Sequence, residues 1–182
     1  KKGGHGSVDI IKAVEESCDV FFYQVGQRLG VDRLAFYARA AGLGSPTGIF
    51  LDQEARGLIP TAAWKKRRTG VPWQEGETLS IAIGQGFNLA TPLQMAVLVA
   101  AIANGGKRYR PMILKSIQLE DGQILQKGEP KLVGKIPVSQ SNLDLVKLGL
   151  WRVVNGENGT ARGSRLEDID ISGKTGTSQV IS

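Results

Sequence analysis

Gly173-Lys174-Thr175-Gly176-Thr177-Ser178-Gln179, followed by Val180 and Ile181, sets one cation and two threonine hydroxyls in a β-prone run near the end of the chain. Such a run predicts an extended ribbon, open on one side, with a fixed positive charge beside it. It is a place to lay an extended substrate that ends in a carboxylate. Gly173-Lys174-Thr175 also shares letters with the tail of a phosphate-binding loop, which needs another glycine five residues earlier and a helix afterwards. Asp168 stands at that earlier position, where its charge repels phosphate, and the residues after Thr175 have a strand composition. The phosphate reading is therefore set aside.

The rest of the chain bounds what this stretch can serve. With 182 residues, 41% of them hydrophobic, the chain is sized for one domain with a core. The longest apolar run, residues 95–103, is too short to cross a bilayer, and the first residues do not resemble a signal peptide. A net charge of +6 favours anionic surroundings. Its densest cluster, Lys65-Lys66-Arg67-Arg68, reads as a solvated helix end. A single cysteine excludes an internal disulfide and leaves the redox compartment open. Asn158-Gly159-Thr160 has the form of a glycosylation acceptor, a triplet common by chance.

In chain order, residues 1–6 form a polar lead-in. Ser7 is a good N-cap, and Val8, Ile11, Val14 and Cys18 fall at helical spacing, so a helix is predicted from about Val8 toward Ser17. Val20, Phe21, Phe22 and Val25 are candidate core, with Gly30 as a stop, and a short helix follows over residues 32–41. Residues 45–76 read as loop-rich, punctuated by Pro46, Pro60 and Pro72, with Trp64 and Trp73 anchoring loops rather than stacking nucleobases. Thr91-Pro92-Leu93-Gln94 is a strong helix start, with a capping box and proline at the first helical position. The helix it opens, residues 92–104, is apolar nearly all round and is predicted to be buried. Residues 112–119 and 123–126 read as a hairpin, and residues 141–154 as a further helix.

Ser17-Cys18-Asp19 is the second stretch with chemistry in it. A serine at a helix junction can relay a proton when a lysine lies close, and a carboxylate two residues on can orient that lysine. The plainer alternative is that Ser17 and Asp19 only cap the second helix.

The chain as a whole resembles a known family. Ser17-Cys18-Asp19-Val20-Phe21-Phe22-Tyr23-Gln24, Pro60-Thr61 through Trp64 to Pro72-Trp73-Gln74, Gly84-Gln85-Gly86, Ala90-Thr91-Pro92-Leu93-Gln94-Met95, Asn104-Gly105-Gly106, Asn158-Gly159-Thr160-Ala161 and Lys174-Thr175-Gly176-Thr177 occur in the order expected. Together they resemble the transpeptidase domain of class B penicillin-binding proteins of the cell-elongation type (penicillin-binding protein 2). The Lys-Thr-Gly element is one that serine β-lactamases and penicillin-binding proteins combine with Ser-x-x-Lys and Ser-Asp-Asn. The resemblance implies an α+β fold, with a mixed sheet beside a helical subdomain. It also implies a D,D-transpeptidase that cross-links peptidoglycan stem peptides through an acyl-serine and is acylated by β-lactams. Ser17 would relay protons between lysines, with Asp19 orienting one of them. Thr177 would give its N–H to an oxyanion hole, while Lys174 and Thr175 hold a terminal carboxylate and residues 175–178, including Gly176 and Ser178, pair with the peptide.

Two departures qualify that transfer. Asp19 stands where the wider superfamily often has asparagine, and an ionised carboxylate only accepts hydrogen bonds. No serine of the chain is followed three positions later by lysine, so the nucleophile motif is absent from these 182 residues. The expectation is one incomplete transpeptidase domain over residues 1–182, lacking the nucleophile segment and the end of the sheet, and inactive alone. The resemblance implies that catalysis requires no cofactor. Some elongation-type relatives hold a structural zinc with a histidine and a cysteine, which His5 and Cys18 match; zinc needs about four ligands, so half the site would lie elsewhere. The resemblance further implies a single-pass anchor outside this chain, a domain on the periplasmic face of the cytoplasmic membrane, a membrane-embedded glycan polymerase and other elongation-complex proteins as partners, and no nucleic acid. A D,D-carboxypeptidase or a β-lactam sensor is the nearest alternative; the Thr-Pro-Leu-Gln-Met helix start and the tryptophan-bearing segment argue against both. A basic polymer-binding module is an alternative of another class, recommended by charge alone.

Overall fold

A computed structural model describes residues 4–178. Six α-helices lie among them: α1 (Ile10–Glu15), α2 (Asp19–Ala40), α3 (Ala62–Thr69), α4 (Glu75–Ala82), α5 (Pro92–Ala103) and α6 (Gln140–Asn155). Between α5 and α6 run the strands β1 (Lys107–Tyr109), β2 (Ser116–Gln118), β3 (Ile124–Lys127) and β4 (Leu132–Lys135). β1 pairs antiparallel with β4, and the β2–β3 hairpin is nested between them in sequence. The hairpin is shorter than the sequence suggests, because its ladder slips at Ile117/Gln118. α6 begins one residue earlier than expected, with Ser139 accepting from the Asn142 N–H.

Capping decides several boundaries. α1 starts at Ile10 rather than Val8, because Asp9, not Ser7, accepts the Lys12 N–H at 2.8 Å. Gly30 breaks α2 with φ 73°, a left-handed conformation that glycine adopts without the steric cost of a Cβ. The loop-rich reading of residues 45–76 missed α3 and α4. Thr61 caps α3 through the Trp64 N–H, and Glu77 accepts the Gln74 N–H at the start of α4. The basic cluster thus lies on a helix, and Lys65 within it is only 5% exposed, paired with Glu77. Desolvation pushes the Glu77 carboxyl up, but hydrogen bonds from Lys65 and the Gln74 N–H together with the Lys65 charge hold it below its ordinary range. Trp64 and Trp73 both pack against Phe87, so they do anchor this segment.

Packing joins the helices in pairs. α1 lies on α6 where Gly149 lets the two meet; a Cβ there would sit 2.9 Å from the Val14 Cβ. Ala41, Ala101 and Ile136 form a buried cluster flanked by Leu98, Ile102 and Val138, tying the end of α2 to α5 and to the segment between β4 and α6. Gln94, fully buried on α5, donates from Nε2 to the carbonyls of Ser45 and Arg56 at 2.7 and 2.9 Å and accepts the Thr91 N–H at 3.1 Å. Every polar atom of that amide is therefore used, as burial demands.

Three expectations need correction. α5 is not buried on all sides, since Met95 and Val99 are 45% and 56% exposed, and Val20 is 63% exposed rather than core. The strand expected from Thr175 has no ladder over residues 175–178, because no described strand lies alongside it; Gln179, Val180 and Ile181 lie outside the described residues. Both ladders among the described residues are antiparallel pairs, while the fold class remains a mixture of helix and strand. Among them no helix is long and apolar enough to cross a membrane.

Candidate active site

The site starts with the way α1 ends. The Ser17 N–H bonds back to Val14 O at 3.3 Å and the Cys18 N–H to Ala13 O at 2.9 Å. This is the paired closure of a Schellman motif, with Ser17 at the position where the chain turns left-handed. Ser17 has φ 52°, which glycine usually takes and which costs an L-residue about 1–2 kcal/mol. Ala13 and Cys18, the two residues the motif brings into contact, are both buried. Ser17 is thus held on a tight, internally bonded turn.

The capping alternative for Ser17 and Asp19 does not hold. The N-cap of α2 is Cys18, and no side-chain hydrogen bond closes that helix end. Asp19 occupies the first turn of α2, where a carboxylate is favoured by the helix dipole, and remains exposed.

α6 supplies the opposite wall. Its Leu150 carbonyl accepts the Gly173 N–H at 3.1 Å, and the Asn155 side chain donates to Ile171 O at 2.9 Å. These ties lead the chain past the α1–α2 turn, and Lys174 Nζ donates to Ser17 Oγ at 2.8 Å across 157 positions of sequence. Desolvation pulls the Lys174 ammonium below the ordinary lysine range, and the Asp19 charge opposes that pull in part. A lysine whose proton is easier to lose, in contact with a serine hydroxyl, is a proton-transfer pair.

Thr175 shares a 2.9 Å hydroxyl–hydroxyl hydrogen bond with Thr160. The loop carrying Thr160 is bound to α1, since Glu15 accepts from the Asn158 N–H through Oε1 and from the Thr160 N–H through its carbonyl, both at 3.3 Å. Glu15 and Thr160 were not singled out as site residues by sequence; only the Asn158-Gly159-Thr160-Ala161 motif pointed near one of them. Gly176, Thr177 and Ser178 are exposed on the same segment, outside any helix or strand.

His5 and Cys18 line one open cleft together with Glu16, Ser17, Asp19 and Gln24. Lys12 Nζ donates to the carbonyls of His5 and Ser7, drawing the His5 loop onto α1, and His5 Nε2 lies 3.5 Å from Glu16 Oε2. Imidazole and thiolate suit zinc, yet among the described residues no group of three His, Cys, Asp or Glu side chains is placed to hold a metal.

Comparisons with known proteins point to one family. The model of the penicillin binding protein transpeptidase domain matches residues 1–182. The peptidoglycan D,D-transpeptidase MrdA of Haemophilus influenzae is 40% identical over 185 residues, covering 100% of this chain and 28% of that protein. A structure of penicillin-binding protein PBP2 from Helicobacter pylori is 36% identical with a TM-score of 0.85, covering 99% of this chain and 32% of the other. The same protein in complex with MreC gives a TM-score of 0.82. A chain of a peptidoglycan synthase complex that coordinates polymerization and crosslinking is 39% identical with a TM-score of 0.81, covering 94% of this chain and 28% of that one. The chain thus spans under a third of the length of each of these relatives. Carrying the serine–lysine pair on the same fold, it belongs to the penicillin binding protein transpeptidase domain family.

Proposed function

We propose that the chain forms part of the active site of a peptidoglycan D,D-transpeptidase of the cell-elongation type. The contact of Lys174 Nζ with Ser17 Oγ at 2.8 Å carries the reading. A stem peptide ending in two D-alanines lies along residues 175–178, with its terminal carboxylate held by Lys174 and Thr175. A serine from outside these residues adds to the carbonyl of the penultimate D-alanine, and the Thr177 N–H stabilises the oxyanion, a role worth about 3–4 kcal/mol. The bond to the terminal D-alanine then breaks, and the proton given up by the nucleophile ends on the leaving amine by way of Ser17 and Lys174. Asp19 sets the charge balance of that relay. An amine of a neighbouring stem peptide next displaces the acyl-serine, forming the cross-link and restoring the hydroxyl.

The relatives' complexes with MreC and within a peptidoglycan synthase support elongation-complex partners. We place the domain on the outer face of the cytoplasmic membrane, beside a membrane-embedded polymerase. A zinc ion held by His5 and Cys18 would need two further ligands from elsewhere in the protein and would brace the loop beside α1.

Labelling of the full-length protein with a fluorescent penicillin tests the reading. Stoichiometric covalent labelling is expected, with loss of the label in Lys174→Ala. The 182-residue chain by itself is expected to stay unlabelled. Stoichiometric labelling of that chain would overturn the placing of the nucleophile elsewhere. A carboxypeptidase would release D-alanine without forming a new amide when an acceptor amine is supplied.

A further inference from the structure

The Lys174–Ser17 contact is made by a segment that has no helix or strand of its own. After the Gly173 N–H bond to α6, the side-chain ties among the described residues are those of Lys174 to Ser17 and to Thr175, and the Thr160–Thr175 hydroxyl bond. The Thr160 side chain is thus what holds Thr175 from outside its own segment. Thr160 is itself fixed, because its N–H bonds to Glu15 O and the following Ala161 N–H bonds to Val153 O at 2.9 Å. Two glycines make that approach possible. A Cβ at Gly156 would collide with the Glu15 carboxylate, and one at Gly159 with the carbonyls of Arg152 and Val153.

Glu15 is the anchor. It is buried, ends α1, and pairs with Arg152 Nη1 at 3.7 Å while accepting the Asn158 N–H. It also stands two residues before Ser17 on the same bonded turn. The contacts therefore close a ring, from Ser17 through Glu15, Thr160, Thr175 and Lys174 back to Ser17. A closed ring of short contacts fixes a distance far better than two loops meeting at one hydrogen bond, and misplacement by about 1 Å costs on the order of a hundredfold in rate.

We propose that Thr160 is a positioning residue of this site: its hydroxyl, tied through Glu15 to the turn that bears Ser17, holds Thr175 and so sets where Lys174 meets Ser17. The inference rests on the transpeptidase reading of the same cleft. It assigns Thr160 no contact with the substrate.

The test is the acylation rate of the full-length protein by a fluorescent penicillin, measured beside the thermal midpoint. Thr160→Val removes the hydroxyl at constant shape and is expected to slow acylation about tenfold, the worth of one hydrogen bond of about 1.4 kcal/mol, with the midpoint moved by less than about 2 °C. Thr160→Ser keeps the hydroxyl and is expected to acylate within about twofold of the unmodified protein. Should Thr160→Val destabilise the fold, Thr160→Ala, which also lacks the hydroxyl, takes its place; with either, shared action of the two hydroxyls makes the double variant with Thr175→Val no slower than Thr175→Val alone. Undiminished acylation of Thr160→Val, equal loss in Thr160→Ser, or additive losses in the double variant would each overturn the inference. An unmodified full-length protein that takes no label would instead overturn the transpeptidase reading beneath it.

Discussion

Two polar constellations in this molecule look alike on paper and behave differently in space. Around Gln94, one side chain meets two carbonyls and an N–H in full burial, each at 2.7–3.1 Å. Around Ser17, a lysine meets a hydroxyl at 2.8 Å beside solvent, on a left-handed residue. The first spends all of its hydrogen-bonding capacity on joining the loop over residues 45–57 to α5. The second leaves capacity open, holds a lysine below its ordinary range and places a strained serine within reach. Burial with complete satisfaction marks a structural polar group, while access, strain and a displaced titration mark a working one.

That contrast can be broken by substitution. Lys174→Ala is expected to lower the acylation rate by roughly a thousandfold, within the range of general acid–base catalysis, and to leave the thermal midpoint almost unmoved. A large fall in the midpoint would mean that Lys174 is structural after all. Gln94→Ala should do the reverse, costing about 3 kcal/mol in denaturant unfolding because two carbonyls and an N–H lose their partner, while acylation per folded molecule stays the same.

The pH profile sharpens the difference further. In the proposed relay neutral Lys174 accepts the proton, so acylation should rise with pH as Lys174 loses its own, at a pH below the ordinary lysine range because desolvation disfavours the ammonium. Asp19, the charged group acting on Lys174, favours the ammonium. Asp19→Asn should therefore move the rising limb to still lower pH; a move to higher pH would show that Asp19 does not act on Lys174 through its charge. The smallest effect lies in stability: Ser17→Gly should raise it by about 1 kcal/mol by relieving the left-handed strain, while removing the relay hydroxyl. An unchanged or lower stability would mean that the Lys174 contact already offsets the strain.

Much of the helical framework was legible because its signals are local. Thr91 and Gln94 announced α5 through their capping box, and Gly30 marked the break in α2. The basic cluster was read as a helix end, which it is, but the extent of α3 was missed because Lys65 to Arg68 offer no apolar period, although Thr61 carries the cap that starts it. The burial of α5 was overestimated because composition says which faces are apolar and not what covers them. In the site, Ser17, Asp19 and Lys174 could be named from motifs and resemblance; the structure brings Lys174 onto Ser17, with the Asp19 charge acting on Lys174. The strap through Glu15 and Thr160 was not legible, because a buried glutamate in a helix has no sequence signature and its partner lies 143 or more positions away.

That separation has a consequence for how the molecule is made. Ser17 meets Lys174 over 157 positions, the kind of non-local contact whose loop-closure entropy must be met before any reward returns. The helices around Gln94 and along α2 can form from neighbours in sequence; the Ser17–Lys174 pair cannot. Reactivity toward a β-lactam should therefore appear late on the folding path, after most helical structure has formed. A penicillin label would then report on chains that have finished folding, a distinction that helix content alone would miss.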